Sequence, residues 1–120
     1  RITGKVRLVL NCHCNSCRKR NGAAFSTYCV VAQNDLSLLQ GQETLATYEA
    51  SERGTTLFCS KCGSPIFNKN IQYPGLNMIH FGSLSEPTDL TPSYNIFCET
   101  KLPWIDSISS IKNFEKAIER

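Results

Sequence analysis

At 120 residues the chain has the length of one domain with a single hydrophobic core. Hydrophobic residues make up 41% of it, and because no apolar run approaches the ~20 residues of a membrane-spanning helix, we expect a soluble protein with no membrane partner. The net charge of +3 is mild, and its densest patch is only Arg18, Lys19 and Arg20, so we expect no nucleic-acid partner either.

Most of the chain has the composition of short strands separated by turns. Residues 6–10 are mostly apolar, and residues 25–32 are rich in aromatic and β-branched side chains. Residues 36–39 and 45–49 flank a Gly-Gln turn and predict a hairpin. The remaining strands are predicted at residues 55–58, 65–67, 78–81 and 93–97, with Pro87 and Pro92 between the last two. The pattern predicts a mainly β fold of small sheets.

Only the end of the chain has a helical pattern. Four apolar residues fall on one face at a spacing of 3.6 residues, namely Ile111, Phe114, Ala117 and Ile118. Ser109 or Ser110 could supply the N-cap. We therefore predict a short C-terminal helix.

Three cysteines near the N-terminus, Cys12, Cys14 and Cys17, have the spacing of metal ligands. On an extended backbone, positions 12 and 14 share one face about 6.6 Å apart, and a turn through the next two residues would bring Cys17 back towards them. Three thiolates can therefore converge on one zinc ion at about 2.3 Å. Because side chains alternate along a strand, His13 is expected at the surface or behind the ligands rather than among them.

Three protein ligands leave one tetrahedral position open, which is the arrangement of catalytic zinc, whereas structural zinc is closed by four ligands. A soft three-thiolate site suits a substrate thiolate or a carbonyl adduct better than the generation of hydroxide. The spacing alone leaves a second interpretation open. In it, a fourth ligand arrives from elsewhere in the chain and the site is structural.

A second pair, Cys59 and Cys62, has the Cys-x-x-Cys spacing of a zinc knuckle, with Gly63 in the tight turn that follows. The pair predicts half of a structural zinc site. Cys29 and Cys98 are more typical of small buried hydrophobes than of ligands. The odd count of seven cysteines and their clustered spacing argue against disulfides and favour reduced thiols in the cytoplasm.

Four segments, taken together and in order, resemble the glutathione-dependent formaldehyde-activating enzyme family, which includes the centromere protein V-like proteins. The similar segments are Cys12-His13-Cys14-x-x-Cys17-Arg18-x-x-x-Gly22, Phe58-Cys59-x-x-Cys62-Gly63-Ser64-Pro65-Ile66-Phe67, His80-Phe81-Gly82-Ser83-Leu84 with Pro87, and Lys101-Leu102-Pro103-Trp104. The resemblance covers nearly all of residues 1–120. It implies one zinc-binding domain of the Mss4-like type, built of small antiparallel sheets and carrying two zinc sites.

The resemblance also implies roles for the two cysteine sets. Cys12, Cys14 and Cys17 match the family's catalytic zinc ligands, and Cys59 and Cys62 match half of its structural site. In the family the other half is a Cys-x-Cys pair in an N-terminal strand, which these 120 residues lack. Either the chain is trimmed at its N-terminus, or the second zinc site is incomplete or borrows a ligand, and of these we expect trimming.

The activity implied by the resemblance is that of a zinc-dependent carbon–sulfur lyase. Such an enzyme joins formaldehyde, or a similar carbonyl compound, to a thiol such as glutathione, or reverses that step. A hydrogen-bond donor near the open position would stabilise the developing alkoxide. The alternative is a non-enzymatic zinc module that binds a protein partner, which a fourth protein ligand would favour.

Other residues are weaker candidates. Lys101 and Trp104 could line a pocket, and Arg18 could attract a substrate carboxylate, although each is equally typical of packing or of a solvated surface. A third interpretation is thiol redox chemistry at Cys98. It requires a cationic neighbour, and only Lys101 is close in sequence.

Overall fold

A computed structural model describes residues 1–85 and 89–118, and within them seven strands form one sheet. The strands are β1 (Val6–Cys12), β2 (Ser26–Ala32), β3 (Leu45–Glu49), β4 (Gly54–Cys59), β5 (Pro65–Asn70), β6 (Leu76–His80) and β7 (Tyr94–Ile96). Their order across the sheet is β3-β4-β5-β6-β2-β1-β7. The described part of the chain has one α-helix, α1 (Asn15–Asn21), between β1 and β2. The prediction of a mainly β fold is confirmed.

The predicted small sheets are joined into a single sheet. Its strand pairs are antiparallel, except that β7 runs parallel to β1. The pairing of β5 with β6 is short, with only Phe67 opposite Ile79 and Asn68 opposite Met78. This narrow ladder connects the β3-β4-β5 meander to the strands that carry the N-terminal cysteines.

The predicted hairpin of residues 36–39 with 45–49 is wrong. Leu36 instead forms an isolated bridge with Ile2, and β3 pairs with β4. Gly41 adopts a left-handed φ of 80° and is followed by a 3-10 turn at Gln42–Thr44. Since Leu36 is paired with Ile2 and β3 with β4, the two segments do not pair with each other.

The C-terminal helical segment lies upstream of its predicted position. A stretch of 3-10 turns covers Pro103–Ser110, whereas residues 111–118 have no helical structure. Ile111 and Ile118 are 61% and 76% exposed, so an apolar helical face there would have nothing to pack against, and a short helix without packing is marginal. Pro87 lies outside the described residues. No helix of the described residues is long and apolar enough to cross a membrane.

The two faces of the sheet have different neighbours. One face carries the buried core, formed by Val9, Cys29, Val31, Phe67 and Ile79. Cys29 is fully buried there, as expected of a small hydrophobic residue. The intervening residues of the same strands point to the other face, where they line a cavity. The position of each side chain therefore follows from its parity along the strand.

Replacement of Ile79 by alanine should destabilise the protein by about 2–5 kcal/mol, because Ile79 is 2% exposed and its removal leaves a cavity in the core. The matched control Ile71→Ala, at a side chain that is 72% exposed, should change stability by less than about 0.5 kcal/mol. Urea unfolding of both variants measures the difference. Equal losses would contradict this assignment of the core face.

Candidate metal centre

The three N-terminal cysteines are positioned by the corner between β1 and α1. Cys12 is the last residue of β1, and Cys14 is the N-cap of α1 with an extended backbone (φ −72°, ψ 154°). Cys17 lies in the first turn of the helix, and its backbone N–H donates a hydrogen bond to the Cys14 sulfur at 3.3 Å. The Cys14 sulfur therefore occupies the place of the side-chain oxygen in an ordinary helix cap.

The sulfur atoms are spaced as a metal ion requires. Cys12 Sγ lies 3.5 Å from Cys14 Sγ and 3.5 Å from Cys17 Sγ, and all three atoms lie within 4.8 Å of one another. Tetrahedral zinc with bonds of about 2.3 Å places its sulfur ligands ~3.8 Å apart, so the cluster fits this ion. Among the described residues, no fourth Cys, His, Asp or Glu atom joins the three at this spacing.

The pKa values of the Cys12 and Cys17 thiols are shifted in opposite directions. The contact of Cys17 with Cys12, together with the Tyr28 hydroxyl and the charge of Arg20, lowers the pKa of the Cys17 thiol to about 6. The same contact with Cys17, and burial, raise the pKa of Cys12 well above its ordinary value. At neutral pH the metal-free cluster therefore contains a thiolate at Cys17, which is the form that binds metals and acts as a nucleophile.

The cluster opens onto a cavity of about 580 Å³. All three cysteines line it, at one end of the sheet face that lies opposite the core. The apolar part of the lining comes mainly from Leu8, Leu10, Val30, Leu76 and Met78, and the polar part includes Arg20, Tyr28, Thr56, Asn68 and Gln72. The space is large enough for a small molecule to reach the sulfur atoms.

A chain of hydrogen bonds extends from the cluster across three strands, and the sequence did not predict it. The Tyr28 hydroxyl lies 3.2 Å from Cys17 Sγ and accepts a hydrogen bond from Asn68 Nδ2, also at 3.2 Å. Asn68 Oδ1 lies 3.0 Å from His80 Nε2. The only signal in the sequence is an asparagine and a histidine inside otherwise strand-like segments, where buried polar groups need partners.

His13 is more deeply buried than expected. It is 1% exposed, its Nε2 atom lies 3.2 Å from Asn95 Oδ1, and its ring packs at a tilt against Phe25, with 5.0 Å between the ring centroids. Of the two expected positions, at the surface or behind the ligands, the structure shows the second, because the Thr100 hydroxyl and β7 cover this side of the β1 end. His13 lies behind the cysteines and outside the cluster, as the alternation of side chains along β1 predicts.

Cys59 and Cys62 are separate from the first cluster. Cys59 ends β4, and the turn that follows contains Gly63 with a left-handed φ of 80°. Hydrogen bonds to the backbone at Cys62 and Lys61 lower the pKa of the Cys59 thiol to about 7, which is typical of a sulfur held in a knuckle turn. The described residues bring no group of three metal-binding side chains to this pair.

The remaining candidate residues lie outside the cavity. Lys101 forms an ion pair with Asp106 at 3.0 Å, and Trp104 is 50% exposed. Arg18, the arginine expected near the substrate, donates a hydrogen bond to Asn15 on its own helix. Arg20 lines the cavity instead. Cys98 is exposed, so the expectation of a buried side chain is wrong for this cysteine, and its thiol lies 3.6 Å from the backbone carbonyl oxygen of Asn95.

The fold and the cluster define a β-sheet domain with a three-cysteine corner suited to a metal ion. Residues 1–100 match the family model of the glutathione-dependent formaldehyde-activating enzyme, and the chain belongs to this family. A crystal structure of a Rhodobacter sphaeroides protein is also similar, with a TM-score of 0.56 and 21% sequence identity. The similarity covers 71% of this chain and 81% of that protein, and it shows a shared fold.

The stability of the protein should fall as the pH drops from about 6.5 towards 4. Burial, and secondarily the charge of Arg20, lower the pKa of His80 from 6.5 to about 4. Between these pH values His80 is protonated in the unfolded chain but neutral in the folded protein, so acidification favours unfolding. The free energy of unfolding should fall by an amount on the order of 3 kcal/mol in total. Urea unfolding at several pH values measures the slope.

The matched variant His80→Gln keeps an N–H donor but cannot titrate. Its stability should depend less steeply on pH between 4 and 6.5 than that of the parent protein, because the contribution of His80 is removed. Identical pH profiles for the two proteins would show that the His80 imidazole is not held neutral by the fold.

Proposed function

We propose that the protein is a zinc-dependent carbon–sulfur lyase that acts on thiol–aldehyde adducts of the S-hydroxymethylglutathione type. Membership of the glutathione-dependent formaldehyde-activating enzyme family supports this class of reaction. The observation that carries the proposal is the position of the cysteine cluster, whose three sulfur atoms line a cavity of about 580 Å³. A purely structural zinc site has no need of such access.

In this proposal Cys12, Cys14 and Cys17 are the ligands of the catalytic zinc ion. The sulfur spacing of 3.5 Å and the lowered pKa of Cys17 suit a zinc ion, and three ligands leave room for a substrate atom. Cys59 and Cys62 are assigned to a second, structural zinc site. Reduced thiols at all seven cysteines, which the structure describes as free, suit a cytoplasmic protein.

The proposed reaction needs no oxidant or reductant. The carbon–sulfur bond of the adduct breaks, its hydroxyl loses a proton as the carbonyl forms, and the sulfur gains a proton to become the free thiol. The zinc ion would supply Lewis-acid polarisation of the substrate. The side chains of Leu10 and Met78 would exclude water, and the Arg20 guanidinium would attract a carboxylate of the thiol substrate.

The alternative function is a zinc-binding interaction module without activity. It predicts that a fourth protein ligand closes the coordination sphere of the first cluster. No such ligand lies in the cluster among residues 1–85 and 89–118, and this supports the enzyme over the module.

Replacement of Cys14 by alanine tests the proposal. Loss of one of three ligands should lower the zinc content of the first site and reduce turnover of the formaldehyde–glutathione adduct by at least ~100-fold. Zinc stoichiometry and adduct turnover are measured on the same preparation. Cys98→Ala is the matched control, since Cys98 is exposed and lies outside the cluster, and it should behave like the parent protein.

Unchanged turnover in the Cys14→Ala variant would overturn the catalytic role of the cluster. If zinc is lost while the parent protein itself shows no adduct turnover, the cluster is a metal site and the lyase assignment is wrong. A parent protein that binds no zinc at this cluster would contradict both.

A further inference from the structure

The hydrogen-bonded chain beside the cluster has an internal direction. An amide oxygen only accepts hydrogen bonds and an amide nitrogen only donates them. Asn68 Oδ1 therefore requires a hydrogen on His80 Nε2, 3.0 Å away, and Asn68 Nδ2 donates to the Tyr28 oxygen at 3.2 Å. The single O–H of Tyr28 is then free to point at Cys17 Sγ, 3.2 Å away.

The opposite direction would place a lone pair of Tyr28 against the sulfur. If the Asn68 amide were rotated, Tyr28 would donate to its oxygen, and Cys17 would face an acceptor. A cysteine that ligates a metal is a thiolate and can only accept, so this arrangement is repulsive. The hydrogen-bond partners therefore favour one direction of donation, from His80 to Asn68, from Asn68 to Tyr28 and from Tyr28 to Cys17.

The three side chains are held rigidly in place. Tyr28 and His80 are 5% and 6% exposed, face one another in the strand register, and their rings meet edge to face at 4.8 Å. Asn68 lies opposite Met78 on the same sheet face. Rotation of any one of these side chains would break a hydrogen bond of the network, which therefore resists it.

We propose that Tyr28 donates a hydrogen bond to the Cys17 sulfur, and that Asn68 and His80 are positioning residues that fix the direction of this bond. Its functional meaning rests on the proposed function. A hydrogen bond to a thiolate withdraws charge from it, so a metal ion held by Cys17 keeps more Lewis acidity than three bare thiolates would leave it. Tyr28 would then partly offset the electron donation from the three thiolates to the metal ion.

The tautomer of His80 gives a test that needs no metal. The chain has two histidines, so nitrogen-15 NMR of the reduced, metal-free protein resolves two imidazoles, and the His80→Gln variant assigns them. The proposal predicts that His80 carries its proton on Nε2. A proton on Nδ1 at neutral pH would mean that the hydrogen bonds run in the opposite direction, and it would overturn the proposal.

A cobalt ion at the cluster gives a second test. In a Cys59→Ser/Cys62→Ser background, one Co²⁺ ion reports on the first cluster through its thiolate-to-metal charge-transfer band. Loss of a hydrogen bond raises the energy of the sulfur electrons, so Tyr28→Phe should move this band to lower energy. Tyr94→Phe, at a tyrosine that is 60% exposed, should leave the band unchanged. An unshifted band in Tyr28→Phe would overturn the proposal.

The role of Asn68 is separated from simple charge by a double-mutant cycle. In Asn68→Asp the carboxylate accepts from Tyr28 and draws the O–H away from Cys17, so the band should shift as in Tyr28→Phe. Combining both substitutions should add little further shift. Full additivity would show that Asn68→Asp acts through its charge alone and would remove Asn68 from the proposal.

The two proposals fail in different ways. A protein that shows no sulfur-to-cobalt band in any form would overturn the metal site and with it the proposed function. The tautomer of His80, measured without metal, would still decide the direction of the hydrogen bonds. A Tyr28→Phe variant that fails to fold leaves the same measurement on the unaltered protein to decide.

Discussion

The alternation of side chains along β1 is the constraint on which the rest of the structure depends. It sends Val9 into the core, whereas Leu8, Leu10 and Cys12 face the cavity. Because β2 pairs in register with β1 on one side and with β6 on the other, the same division extends across the sheet. Stability is therefore built on one face and the candidate chemistry on the other.

The end of β1 converts this division into a site. The strand stops at Cys12, the helix begins after Cys14, and the first helical turn returns Cys17 to its neighbours. Tyr28 then meets Cys17 from the strand next to β1, so the cysteine corner is connected to the hydrogen-bonded network of the sheet. The cluster results from the short spacing of its three cysteines along the sequence. The side chains around it are brought there by strand pairing between distant segments. This combination suits an ion that must be held firmly and yet remain accessible to substrate.

The sequence predicts what depends on near neighbours. The convergence of Cys12, Cys14 and Cys17 follows from a six-residue pattern, and the β content follows from composition. Asn68 and His80 could not be placed beside Tyr28, because their meeting depends on β6 lying between β5 and β2 in the sheet, and β2 is distant from both in sequence. The predicted C-terminal helix failed for a related reason. Its periodic apolar positions have no tertiary surface to cover, and periodicity without packing does not stabilise a helix.

The central claim is that three thiolates hold a zinc ion and leave one position for substrate. X-ray absorption at the zinc edge tests it most directly, on the Cys59→Ser/Cys62→Ser variant loaded with one zinc ion and free of thiol reductants. The account predicts three sulfur ligands at about 2.3 Å and one lighter ligand, which a fourth sulfur replaces when glutathione is added. A sphere of four sulfur atoms before any thiol is added, or one that glutathione leaves unchanged, would contradict it.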